Sequence, residues 1–195
     1  MDLMDLRQFY RAELSEHAAT VEGAMAACET AFVRLVDAAV GTVAAGGKIL
    51  LFGNGGSAGD AQHIATELTV RYVKDRPPIA AVALTTDTSA LTAIGNDLGF
   101  EQLFARQVLG LGCKQDLAIG ISTSGNSRNV ILGLQAARET GMTAAALAGN
   151  DGGALRGVAE PLVIVPSRVT ARIQEMHILL GHMLCGALER RLGLV

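Results

Sequence analysis

Leu117-Ala118-Ile119-Gly120-Ile121-Ser122-Thr123-Ser124-Gly125-Asn126-Ser127 passes from a short apolar run directly into four hydroxyls arranged around a glycine. The residues that follow, Asn129 to Thr140, carry apolar side chains at helical spacing, so the unit reads strand, turn, helix. A turn in that position sets free backbone N–H groups and hydroxyls at a helix amino terminus, which is a site for an anion. Gly125 lets the backbone turn sharply and approach a ligand without a Cβ, and Ser124, Asn126 or Ser127 can serve as N-cap. One cap needs one hydroxyl. Four beside a strand end exceed what a turn that binds nothing would use. Lys is missing from the run, so it is not a Walker loop and ATP hydrolysis is disfavoured.

On either side the pattern repeats. Short apolar runs bounded by Gly, Asp or Pro occur at Ile49 to Phe52, Ile79 to Leu84, Thr143 to Leu147 and Leu162 to Val165. Helical segments fall between most of them, at Asp60 to Leu68, Phe100 to Leu109 and Asn129 to Thr140, and a long one follows from about Thr170 to Leu192. Alternation of this kind predicts an α/β fold, a three-layer arrangement in which a five-stranded parallel sheet is flanked by helices. Ligands then bind beyond the carboxyl ends of the strands, which points to the loops after Phe52, Leu84, Ile121 and Leu147. Before the first strand, Asp5 to about Ala45 reads as one long helix or two abutting ones, with Gly23 and the stretch near Thr30 as candidate breaks. It cannot be a crossover. Its apolar stripe must cover an end of the sheet or another subunit, and the second is the expectation. The 195 residues are expected to form one domain, with 1–45 a helical segment used in oligomerisation and 46–195 the α/β core.

Composition narrows the function. Half the residues are apolar and 18% are charged, with a formal net charge of −3, so no general basic field would recruit nucleic acid or an anionic membrane. Cys28, Cys113 and Cys185 are widely spaced without a CxxC pair, which argues against a disulfide framework and a structural zinc knuckle. They are expected to be reduced. The start, Met1 to Arg7, is acidic where a secretory signal would be basic, and no apolar run is long enough to span a bilayer. A cytoplasmic protein is expected.

A second glycine turn, Gly53-Asn54-Gly55-Gly56-Ser57, follows the first strand and opens a helix with His63 and Glu67 on one face. It fails as a dinucleotide fingerprint, because its third glycine is misplaced and the acidic partner is missing, so no nucleotide cofactor is expected. Asn54 and the glycines suit sugar hydroxyls. On the last helix Gln174, Glu175, His177 and His182 stand among apolar residues, and His177 and His182 cannot share one narrow face. Aldose–ketose interconversion moves one proton between adjacent carbons and another between their oxygens. It needs a carboxylate base and an acid–base group near neutrality, jobs that fit Glu67 and His182. Alternatively His63, Glu67 and further N/O donors could hold zinc as a Lewis acid.

The glycine turn, His63-x3-Glu67, Thr85-Thr86-Asp87, Gly95-Asn96-Asp97, the Ser122 to Ser127 run and Arg172-Ile173-Gln174-Glu175 together resemble the phosphoheptose isomerase family of sugar isomerase (SIS) domains, which are flavodoxin-like. The resemblance implies conversion of sedoheptulose 7-phosphate to D-glycero-D-manno-heptose 7-phosphate, a precursor of surface polysaccharide such as lipopolysaccharide. It puts the catalytic pair on Glu67 and His182. Substrate contacts fall on Asn54, Gly55, Gly56, Glu67, Asn96, Asp97, Ser122, Thr123, Ser124, Ser127 and Gln174. It implies one zinc per subunit on His63, Glu67, Gln174 and His182, and a homotetramer with shared active sites. Gln174 and His182 are about 12 Å apart along an ideal helix and rotated by about 80°. Joint binding of one ion requires a bent helix, a ligand from a neighbouring subunit, or a weakly held metal. A related SIS tetramer that binds the replication initiator resembles this chain in the Ala171 to His177 stretch, but as the resemblance goes it lacks the paired base and acid. A SIS sensor joined to a DNA-binding domain is disfavoured, because no helix-turn-helix segment precedes the core.

Overall fold

In a computed structural model describing residues 5–195, β1 (Ile49–Gly53), β2 (Ala81–Ala83), β3 (Leu117–Ser122), β4 (Thr143–Ala148) and β5 (Leu162–Ile164) form one parallel sheet in the order β2-β1-β3-β4-β5. The helices are α1 (Leu6–Ala44), α2 (Gly56–Thr69), α3 (Thr88–Asp97), α4 (Leu103–Leu111), α5 (Arg128–Glu139) and α6 (Thr170–Arg191). Met1 to Met4 of the acidic amino terminus lie outside the described residues. None of the described helices is long and apolar enough to cross a membrane.

Every residue of β1 and β3 is buried, as continuous apolar runs require when both faces of a parallel sheet are covered. Side-chain alternation divides them. Ile49 and Leu51 of β1, with Leu117, Ile119 and Ile121 of β3, meet α1, α2 and α6; Leu50 and Phe52 meet α4 and α5. Phe52 stacks on Phe104 with ring centroids 5.0 Å apart. The expected strand at Ile79 to Leu84 is shorter, because β2 is an edge strand paired only from Ala81 to Ala83. Ile79 N–H turns instead to Leu68 O at the end of α2. Helix α3 was absent from the sequence expectation. It has no buried residue, its apolar Leu91 and Ile94 being only partly covered against the core, and Asp87 starts it by accepting from Ala90 N–H at 3.0 Å.

Helix α1 is a single 39-residue helix with no break at Gly23 or Thr30, capped by Asp5. Gly23 lies against Pro166: a Cβ there would sit 3.4 Å from the ring. Ala24, Cys28, Leu35, Val36 and Ala39 join the core beside α6, while Leu14, Met25 and Val33 are exposed. The helix therefore covers part of the sheet and also leaves an apolar stripe uncovered.

α2 and α6 pack side by side and run the same way, since Gly56 meets Gln174 and Ile64 meets Gly181. A Cβ on Gly181 would lie 2.5 Å from Ile64 Cδ1, and Ile64 is fully buried. Gly181→Ala is accordingly expected to cost about 1–3 kcal/mol through overpacking. In thermal unfolding that would lower Tm by ~2–4 °C per kcal/mol. An unchanged Tm would show that the two helices have room to spare.

Candidate active site

The sheet order reverses between β1 and β3, so the loops leaving these strands diverge to opposite faces and open a crevice at their carboxyl ends. Asn54 leaves β1 and Ser122 to Ser127 leave β3, on the two sides of that crevice. Asn54 and the buried Asn129 exchange both amide bonds at 2.8 Å, each Nδ2 donating to the other's Oδ1. Asn129 was not singled out in the sequence. The only signal for it is its place two residues past the serine run, and its partner is 75 residues away.

The serine turn is held from outside. Asn126 Oδ1 accepts from Ala154 N–H at 3.0 Å, and Asn150 Nδ2 donates to Thr123 O at 2.9 Å. Gly125 has φ +69, in the left-handed region, and packs against Gly152 so closely that a Cβ would strike its carbonyl. Ser127 is the N-cap of α5 by position, yet its hydroxyl pairs with Ser122 Oγ at 2.9 Å instead of capping. The first intrahelical bond runs from Ile131 N–H to Ser127 O. Amides at the start of α5 therefore remain for a ligand, at the positive end of the helix dipole. This arrangement suits a phosphate.

On the opposite side of the sheet, α2 and α6 bring three of the expected residues together. His63 Nε2 lies 3.4 Å from Glu67 Oε1 and 3.1 Å from His182 Nε2. Donor atoms of His63, Glu67 and His182 all lie within 4.8 Å of one another. Two imidazole nitrogens facing each other at hydrogen-bond distance, with a carboxylate oxygen beside them, are a donor set that fits a divalent cation such as zinc. Tyr72 stacks on His182 with centroids 5.6 Å apart and planes 25° apart, a neighbour that sequence reading missed. Asp60, one turn before His63, has a buried Oδ2 without a partner among the described residues. Burial pushes its carboxyl up to about 6, with His63 pulling the other way.

Other expected residues stand apart. Gln174 lies against Gly56, at the first residue of α2, and α6 runs uninterrupted to His182. One chain thus does not bring Gln174 to the His63, Glu67, His182 cluster. Asn96 and Asp97 are exposed at the end of α3 and, among the described residues, their side chains hydrogen-bond only each other, at 2.6 Å. His177 is fully buried on the other side of α6 from His182, with Nε2 3.1 Å from Ala148 O.

Burial pulls the His177 imidazole down to about 4, against 6.5 for an ordinary histidine. The unfolded chain therefore takes up a proton that the folded one refuses. Its contribution to stability is complete above about pH 6.5 and is lost as pH falls toward about 4. Tm should drop more steeply over that interval in the parent than in His177→Gln, whose amide can still donate to Ala148 O. Equal slopes would contradict the assignment.

The SIS domain family matches residues 13–149. The phosphoheptose isomerase of Paramagnetospirillum magneticum is 56% identical over 186 residues, 95% of this chain and 97% of that protein. That of Aquifex aeolicus is 59% identical over 144 residues, 74% of this chain and 75% of the relative. Among solved structures, the phosphoheptose isomerase of Neisseria gonorrhoeae superposes with a TM-score of 0.88 at 45% identity, over 94% of this chain and 99% of that one. A phosphoheptose isomerase from Francisella tularensis gives a TM-score of 0.91 at 35% identity, over 96% and 100%. With a family match across most of its length and relatives of more than half identity, the chain belongs to the SIS domain family and, within it, to the phosphoheptose isomerases.

Proposed function

We propose that this chain interconverts sedoheptulose 7-phosphate and D-glycero-D-manno-heptose 7-phosphate through an enediol, with Glu67 moving the carbon-bound proton and His182 the oxygen-bound one. The observation that carries the assignment is the meeting of Glu67, His63 and His182 at one point, in a chain whose uncapped, hydroxyl-rich helix start suits a phosphate. That meeting also favours an enzyme over a protein that only binds the replication initiator.

The Glu67 carboxylate takes a proton from C1 of the ketose, and the freed pair forms the C1–C2 double bond. The C2 carbonyl oxygen meanwhile takes a proton from His182. In the second half His182 removes the proton on O1, the C1 carbonyl forms, and Glu67, its proton exchanged with solvent, delivers one to C2. Ser122, Thr123, Ser124 and Ser127 hold the phosphate, with the serine turn and the Glu67–His182 cluster supplied to one shared site by different copies of the chain, since Glu67 lies about 16 Å along α2 from Gly56. Asn54, Gly55 and Gly56 meet the sugar hydroxyls, and Asn54 is fixed for this by Asn129. Asn96, Asp97 and Gln174 complete the substrate contacts that the family pattern puts on them. His63, Glu67 and His182 would hold zinc, with Gln174 as a donor from another copy of the chain. When bound there, zinc would polarise the substrate carbonyl.

We also propose that the chain works as a homotetramer with shared active sites, in the cytoplasm, supplying heptose for surface polysaccharide. The exposed Leu14, Met25 and Val33 of α1 and Leu179 and Met183 of α6 support assembly, since such apolar stripes are ordinarily covered.

Incubation of the purified protein with sedoheptulose 7-phosphate should yield aldoheptose phosphate, and Glu67→Gln and His182→Ala should each reduce kcat by ~10²–10⁴-fold. No turnover by the parent, with or without added zinc, would overturn the assignment. Calorimetric titration of chelator-treated protein with zinc should show binding that His63→Ala and His182→Ala weaken. Equal affinity in all three would place the metal elsewhere.

A further inference from the structure

Beyond the cluster, Arg76 and Glu189 are both buried, with side chains 0% and 1% exposed, and Arg76 Nε donates to Glu189 Oε1 at 2.9 Å. The rest of the guanidinium is spent on main-chain carbonyls. Nη2 donates to Glu67 O at 2.8 Å and Nη1 to Leu68 O at 2.7 Å and to Pro77 O at 3.1 Å. Glu67 O and Leu68 O belong to the last turn of α2, where carbonyls have no intrahelical partner. Glu189 Oε1 also accepts from Tyr72 N–H at 3.2 Å. Glu189 stands on α6 seven residues after His182, which is two turns along and about 20° around, so both lie on the same side of the helix.

We propose that Arg76 and Glu189 are positioning residues for the isomerisation, fixing the backbone of Glu67 and the ring of Tyr72 against His182. The pair joins three things: the carboxyl end of α2, the turn bearing Tyr72, and α6. Glu67 is held through its own carbonyl, and His182 is flanked by a ring whose backbone N–H is tied to the same Glu189 oxygen. Both side chains are almost wholly buried and spent on each other and on main-chain groups, so neither is assigned a contact with the reacting carbons. Their effect falls on the separation between base and acid, where a misplacement of about 1 Å is enough to cost ~10²-fold in rate. Stability alone is a poor account of the pair, because a buried ion pair is commonly replaced by apolar residues of similar volume without loss. The inference rests on Glu67 and His182 being the catalytic pair.

The test uses the full-length protein, with kcat and KM for sedoheptulose 7-phosphate and Tm measured for the parent, Glu67→Gln, the double variant Arg76→Met/Glu189→Leu, and Tyr72→Leu. Tyr72→Leu changes a half-buried ring and leaves the core intact, so it decides the matter if the double variant does not fold. The expected result is a folded double variant and a folded Tyr72→Leu, each with kcat reduced at least about tenfold and KM within about twofold of the parent. Such a split is what misplacement of the pair produces and what general loss of stability does not. Retention of parental kcat in Tyr72→Leu and in every folded double variant, beside an inactive Glu67→Gln, overturns the positioning role alone. Parental turnover in Glu67→Gln overturns the catalytic pair, and the positioning role with it.

Discussion

The closeness of α2 and α6 at Ile64 and Gly181 is the constraint on which the meeting of His63, Glu67 and His182 depends. Because the second helix offers no Cβ at that point, the two axes approach near enough for short reach from one to the other. His63, one residue before Ile64, and His182, one residue after Gly181, are then at hydrogen-bond distance, and Glu67 follows one turn along. The glycine is a packing element whose consequence is chemical. Buried aliphatic residues below the contact, Leu68, Leu180 and Leu184, hold the helices in that relation.

The phosphate end depends on a different constraint, the reversal of strand order between β1 and β3. It separates the two crossovers and leaves space above the strand ends, which the reciprocal Asn54–Asn129 amide pair bridges. The hydroxyl of Ser127 is engaged by Ser122, so α5 begins without a side-chain cap. An uncapped helix start costs stability in the empty protein and offers dipole and amides to an anion. Binding and folding therefore use the same orphan groups. In an acidic chain without a general positive field, a local device of this kind suits a phosphate.

How much of this was legible in the sequence follows from the range of each interaction. The five strands and the two glycine-bearing turns were readable because apolar runs and turn residues are local signals. α3 was not, because its apolar stripe is short, Leu91 and Ile94, and only partly buried, and β2 was overextended because an edge strand ends where its pairing does. The continuity of α1 through Gly23 was hidden by a glycine placed for Pro166. Glu67, His63 and His182 stood out by their chemistry and by family likeness, whereas their meeting was not local, since 119 residues separate the two histidines that touch. Nothing local marked Tyr72, Arg76, Glu189 or Asn129, whose importance lies wholly in partners far along the chain. Gln174 shows the opposite limit: its helical distance from His182 was readable, and the uninterrupted α6 keeps them apart within one chain.

In the proposed reaction Glu67 takes a proton from carbon and, after exchange with solvent, returns one. Running the reaction in D2O and locating label by NMR tests it directly. Deuterium is expected at C2 of the aldose product, and none in the presence of Glu67→Gln. Complete retention of the original hydrogen by a turning-over enzyme would contradict it, and would instead indicate direct hydride transfer between the two carbons.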